Sequence, residues 1–273
     1  MRKISIILII LSLTVSAFAF GEGKYFKKGL KAMNAGDYIT AKVFFNEAIN
    51  KNPKFSRGYS HLALSQAYLG ETDNAIMNYK LAYKFDKKDY SSLTNLCGLY
   101  IDKGNMNAAH KACTQAISIN PQSHVALNNR CRVFLQSKRY DSAIADCSQA
   151  ILVKSDYTNA YNNRGTAYLA IGRYESAVSD FDMAIKNNPM NATAYSNRCS
   201  AKKELKIYEE ALADCDKATS LDRNLAEAYF NKGAVYEMLG QKSDAAFEYS
   251  RYLKFHPEAE SVRQKMKRLL KGE

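Results

Sequence analysis

The sequence predicts an all-α protein built as a tandem array of seven 34-residue helix–turn–helix units. Three observations carry that prediction. A single constant step along the chain lands on Ala41, Ala75, Ala109, Ala143, Ala177, Ala211 and Ala245 without a miss, a register that composition alone does not produce. Residues 158–191 contain two helical patterns, 161–171 and 174–186, separated by Gly172 and stopped by Pro189. Within them small residues (Gly165, Ala177, Ala184) alternate with large ones (Tyr161, Tyr168, Tyr174, Phe181), as close packing of two helices requires. The 273 residues include no Trp, 4 Pro and 13 Gly, which suits helices joined by short turns and argues against a strand-rich fold.

The leader comes first. Residues 1–19 read as a signal peptide: Arg2 and Lys3 precede an apolar run from Ile4 to Val15, and Ala17-Phe18-Ala19 supplies small residues for cleavage. The run is short for about 30 Å of hydrocarbon. Export, periplasmic or secreted, is the expectation, with an uncleaved anchor as its alternative and no transmembrane segment after cleavage.

The repeat units follow at 22–55, 56–89, 90–123, 124–157, 158–191, 192–225 and 226–259. With Thr158 as position 1, position 8 is always small: Gly29, Ala63, Cys97, Cys131, Gly165, Cys199 and Gly233. Position 24 reads Phe45, Tyr79, Cys113, Cys147, Phe181, Cys215 and Tyr249, and position 27 is Ala in every unit but the last, which has Tyr252. A final helix over 260–273 has acids (Glu258, Glu260) at its start and Lys267, Arg268 and Lys271 in its last turn, matching the helix dipole. Its Val262, Met266, Leu269 and Leu270 form an apolar stripe expected to cap the last unit. A basic amphipathic segment lying on an anionic membrane is the alternative reading of this helix.

This period and pattern resemble the tetratricopeptide repeat, over nearly all of the chain after the leader. The resemblance implies a right-handed superhelical solenoid that acts as a protein-binding scaffold. Its first helices would line a concave face through positions 2, 5, 6, 9, 12 and 13. Two units depart from the pattern. The second has Ala67-Tyr68-Leu69-Gly70 displaced along its first helix, and the sixth has Lys202 and Lys203 where an aromatic pair is usual. Looser packing is expected at both.

On the implied concave face, position 6 is Asn95, Asn129, Asn163, Asn197 and Asn231 in five successive units, and Asn128 and Asn162 add amides at position 5. Such a ladder can donate to and accept from an extended peptide backbone whatever its side chains. A ladder that binds only water is the plainer alternative. Phe26, Tyr68 and Phe230 lie towards the ends of the groove, placed either for apolar ligand side chains or for packing between helices. Lys and Arg are sparse at the groove positions, which argues against a dedicated carboxylate clamp.

Every unit with Cys at position 8 also has Cys at position 24. Both positions lie equally far from the hairpin turn, so they face one another. In an oxidising compartment three disulfides follow: Cys97–Cys113, Cys131–Cys147 and Cys199–Cys215. Reduced packing cysteines are the alternative. A metal site is disfavoured because no short Cys-x-x-Cys spacing gathers four ligands. The last four units also carry a cation at position 7 (Arg130, Arg164, Arg198, Lys232) and an acid at position 23 (Asp146, Asp180, Asp214, Glu248). Ion pairs bracing each hairpin follow, worth below about 1 kcal/mol if exposed.

The formal charge is +12, and +10 without Arg2 and Lys3. The excess lies towards the N-terminal units, with no concentrated stripe of the kind nucleic acid requires. Nucleic acid is therefore not an expected partner, while an anionic envelope component is a secondary one. The four histidines are scattered, and neither a phosphate-binding glycine loop nor a metal motif occurs. No enzyme activity, cofactor or metal is expected. The expected partner is a protein or peptide. Two other readings remain: an envelope-associated structural protein, and a regulatory subunit that docks on an enzyme.

Overall fold

The computed structural model describes residues 21–271; the leader expected over 1–19 lies outside the described residues. Among the described residues, helices joined by short turns make up the whole fold. The chain divides into two compact units, the first ending at Arg130 and the second starting at Cys131.

The first unit holds α1 (residues 21–34), α2 (Tyr38–Lys51), α3 (Ser56–Tyr68), α4 (Thr72–Phe85), α5 (Tyr90–Asp102), α6 (Met106–Ile119) and the first turns of α7 (His124–Gln136). The second holds the rest of α7, then α8 (Tyr140–Val153), α9 (Thr158–Ala170), α10 (Tyr174–Asn187), α11 (Ala192–Glu204), α12 (Tyr208–Leu221), α13 (Ala226–Met238), α14 (Lys242–Phe255) and α15 (Glu260–Lys271). From α3 to α13 every second helix starts one full repeat after its predecessor, at Ser56, Tyr90, His124, Thr158, Ala192 and Ala226.

One turn motif closes every hairpin. At position 15 the backbone takes a left-handed φ of 72–77° at Gly36, Gly70, Gly104, Gly172 and Gly240. The next residue then donates its N–H five residues back, as Arg173 does to the Tyr168 carbonyl at 2.9 Å. This caps carbonyls that the first helix leaves unpaired. Lys138 (φ 55°) and Lys206 (φ 62°) adopt the same conformation with a Cβ in place. Gly70 sits at this point too, and Glu71 donates to Gln66 at 2.8 Å. The displacement expected in the second repeat therefore stops short of its turn. In the sixth, Lys202 reaches Glu210 and Asp214, both at 3.0 Å, so cation–acid contacts stand where the repeat pattern usually has an aromatic.

A second motif joins successive hairpins. At position 31 an Asn or Asp accepts the N–H two residues on: Asn52 from Lys54, Asp86 from Lys88, Asn120 from Gln122, Asn188 from Met190 and Asp222 from Asn224, at 2.8–3.1 Å. Such turns tolerate Pro at the intervening position, because its absent N–H has no bond to make there. Pro53, Pro121 and Pro189 occupy it.

The hairpin core is the meeting of positions 8 and 24. A Cβ added to Gly29, Gly165 or Gly233 would lie 2.5, 2.7 or 2.9 Å from the ring of Phe45, Phe181 or Tyr249. In three other hairpins the paired residues are cysteines, with sulfurs 2.04 Å apart at Cys97–Cys113, 2.13 Å at Cys131–Cys147 and 2.05 Å at Cys199–Cys215. All six cysteines are fully buried.

At the C-terminal end of the second unit, α15 buries Val262 against Ala245 and Tyr249, with Met266 and Leu269 packed beside it. Leu270 does not join them and is 65% exposed. At about 100° per residue it sits roughly 80° around the helix from Val262, beyond the packed edge.

Candidate peptide-binding groove

The amides at position 6 connect first helices of successive hairpins. In the second unit Asn197 Nδ2 donates to Asn162 Oδ1 at 3.3 Å and to Thr166 Oγ1 at 3.4 Å. Asn231 Nδ2 donates to the carbonyl and the hydroxyl of Ser196, at 3.1 and 3.0 Å. In the first unit Asn129 Nδ2 donates to the Thr94 carbonyl at 3.4 Å. Each amide meets position 5 of the hairpin before it. These donors therefore serve the packing of neighbouring repeats, and Oδ1 is left as the group with which Asn231 can meet a ligand.

The remaining amides differ in access. Asn128 and Asn129 are 3% and 9% exposed, so they offer little surface to a ligand. This corrects the expectation that both face an open groove. Asn162 and Asn163 are half-buried, whereas Asn95 is exposed. Asn95 lines a cavity of about 360 Å³ in the first unit, where Thr94, Asn120, Gln122 and Ser123 supply polar groups beside Tyr90 and Val125.

Asn197 and Asn231 share a cavity of about 290 Å³ in the second unit with Leu169, Ser200, Glu227, Phe230 and Tyr252. Its floor owes much to the one departure from Ala at position 27. Tyr252 stacks obliquely on Phe230, with ring centroids 5.3 Å apart, and Phe230 in turn meets Tyr249 at 5.6 Å. Ser200 and Glu227 supply the remaining polar groups, and no Lys or Arg lines it. The position-27 departure was visible in the sequence, and Ser200 and Glu227 stand at positions 9 and 2, two of those expected to line the concave face, although neither was singled out there. Of the other aromatics assigned to the groove ends, Phe26 is buried among Phe45, Phe55 and His61. Tyr68 is exposed and stacked on Tyr38 at 4.4 Å.

Position 7 holds a cation shared between two repeats. Arg164 donates through Nε and Nη2 to Asp180 at 2.8 and 2.7 Å and through Nη1 to Ser148 at 2.9 Å. Arg198 holds Asp214 in the same two-pronged way, at 2.8 and 2.5 Å, and reaches back to Asp182 at 2.6 Å. Lys232 lies 2.9 Å from Glu248 and 2.7 Å from Asp216. The side chains of Asp180, Asp214 and Glu248 are only 4–7% exposed, so the expected ion pairs form with buried acids and half-buried cations, and the small value for an exposed pair does not apply. The hydrogen bond to Asp180 raises the Arg164 pKa against the cost of burial. Burial works against the Arg198 charge as well, yet Asp214 and Asp182 together hold its pKa above the ordinary arginine value. The backward partner at position 25 was missed in the sequence, although Asp182 and Asp216 stand there one repeat before their cations.

Models of the tetratricopeptide repeat match residues 90–123, 158–191 and 227–259. The chain belongs to the tetratricopeptide-repeat family. It is 34% identical over 98 residues to small glutamine-rich tetratricopeptide repeat-containing protein 2 of Mycosarcoma maydis, covering 36% of this chain and 28% of that protein. It is 29% identical over 137 residues to photosystem I assembly protein Ycf3 of Synechococcus sp. (strain WH7803), covering 43% of this chain and 78% of that protein. A tetratricopeptide repeat protein from Parabacteroides merdae superposes with a TM-score of 0.69 at 20% identity, over 92% of this chain and 99% of its own. PilW, a type IV pilus biogenesis factor, gives a TM-score of 0.68 at 19% identity, over 77% and 98%. At these identities the structural likeness is one of fold. Proteins of this family generally mediate protein–protein interaction.

Proposed function

We propose that this chain is an exported, non-catalytic scaffold or adaptor that holds an extended segment of a partner protein. The observation that carries the reading is the cavity between Asn197 and Asn231. Phe230 and Tyr252 offer aromatic surface for one apolar side chain, while Ser200 and the free Oδ1 of Asn231 can meet the backbone beside it. The Glu227 carboxylate at the same place disfavours a ligand's C-terminal carboxylate, so the segment held is an internal one. Likeness to proteins named for assembly and pilus biogenesis favours a role in building a larger protein structure. Export rests on the leader pattern of residues 1–19 and on three cysteine pairs that suit an oxidising compartment.

The test is capture from an envelope extract of the source cell, comparing the mature chain with Ser200→Trp. The indole fills the cavity without removing any inter-repeat hydrogen bond described above. Loss of a partner identified by mass spectrometry is the expected result. The same partners at the same yield from both proteins would overturn the groove reading.

A further inference from the structure

We propose a second binding site in the first unit, formed where the position-7 ion pair of later repeats is absent, for an aromatic or branched aliphatic side chain flanked by acidic residues of a partner protein. In the second unit, positions 7 and 23 are filled by Arg164 with Asp180, Arg198 with Asp214 and Lys232 with Glu248. In the third repeat the same positions are Leu96 and Ala112, the smallest position 23 of the seven. The space is not closed by another group. A cavity of about 330 Å³ remains between α4, α5 and α6, at the lower end of the roughly 300–1,000 Å³ usual for ligand sites.

Its chemistry has two parts. Leu93, Leu96 and Ala112 form a buried apolar floor, and Tyr83 and Tyr100 add aromatic walls. Lys80 and Lys111 stand at the rim, both exposed, and no acid lines the site. Lys80 occupies position 25, where the fifth and sixth repeats carry Asp182 and Asp216, so the charge is reversed as well as the ion pair lost. The Lys80 ammonium lies 5.8 Å from the centroid of the Tyr100 ring, which holds it over the aromatic wall. An apolar side chain entering this floor passes between two cations, and carboxylates on its neighbours complement them. The site shares no lining residue with the Asn197–Asn231 cavity and does not depend on it.

The probe is a fluorescein-labelled, C-amidated peptide of sequence Glu-Asp-Phe-Leu-Asp-Glu, with a counterpart carrying Lys at each acidic position. Fluorescence polarisation on the full mature chain is expected to show saturable binding of the acidic peptide only. Lys80→Glu with Lys111→Glu, both on exposed side chains, is expected to weaken it by about tenfold or more, the equivalent of about 1.4 kcal/mol. Leu96→Arg with Ala112→Asp installs the ion pair of the later repeats, closes the cavity and is expected to abolish binding. Ser200→Trp, which fills the other cavity without removing an inter-repeat hydrogen bond, should leave it unchanged. The proposal is overturned by any of four results: no binding of the acidic peptide, equal binding of the lysine peptide, indifference to the charge reversal, or loss of binding in the Ser200→Trp variant. If the cavity-closing variant fails to fold, the exposed lysine pair alone decides.

Discussion

Gly165 and Phe181 are a matched pair: a methyl group on the glycine would lie 2.7 Å from Cε1 of the ring. The ring is fully buried and cannot retreat. Gly165→Ala should therefore lower stability by about 1–3 kcal/mol through overpacking, outweighing a gain of about 1 kcal/mol in helix propensity. Urea unfolding measures it. Because sister repeats place bonded cysteines at this point, Gly165→Cys with Phe181→Cys should form a fourth cross-link, seen as the loss of two hydrogens in intact mass under oxidising conditions. Two free thiols in the folded variant would show that the register equivalence fails.

Lys206 holds a left-handed backbone at φ 62° in a turn where five sister positions have glycine. A Cβ in that region costs roughly 1–2 kcal/mol, offset in part by the greater freedom glycine gives the unfolded chain. Lys206→Gly should raise stability by about 0.5–1 kcal/mol. A lower denaturation midpoint would mean that the lysine side chain contributes more than its strain removes.

Asp180 and Asp214 are both buried acids, but only Asp214 has a second cation, Lys202, at 3.0 Å. Arg164→Leu should therefore cost about 3 kcal/mol by stranding Asp180, while Arg198→Leu costs distinctly less. Arg164→Leu with Asp180→Leu should recover most of the loss. Equal losses from both single variants in calorimetry would contradict this ranking.

Burial lowers the pKa of His61, whose Nδ1 lies 2.9 Å from the Arg57 carbonyl and whose ring packs on Phe26 and Phe45. The neutral imidazole is thus the native form. Below about pH 6.5, the ordinary histidine value, the unfolded chain binds a proton that the folded one resists. Stability contributed by this site is fully present above that pH and is lost as pH falls towards the lowered native value. Compared with His61→Phe, the wild-type chain should lose thermal stability between about pH 7.5 and about pH 5.5. A constant difference in Tm over that window would remove His61 as the cause.

Much of the fold was legible because its key relationships have fixed sequence offsets. Alanines one repeat apart, and cysteines or glycine–aromatic pairs at a constant shorter offset, report the hairpin directly. The buried ion pairs were half legible. Arg198 was read forward to Asp214, but the equal step back to Asp182 was not. The asparagine column was visible as composition and opaque as geometry. Whether an amide faces a ligand or the next helix depends on the spacing between first helices, and no single repeat encodes that. The left-handed lysines were illegible for a related reason: hydrogen bonds around the turn impose the conformation that glycine would otherwise signal.

Each of the three disulfides joins two residues of one hairpin, at a sequence separation of 16. Oxidation therefore ties no repeat to another, and the covalent map remains that of a simple string. One protease cut in an inter-hairpin turn, such as between Asn188 and Asn191, yields two fragments that separate fully on a denaturing gel without reductant. The staples protect hairpins individually, and once the backbone is cut between hairpins only noncovalent packing holds the array together.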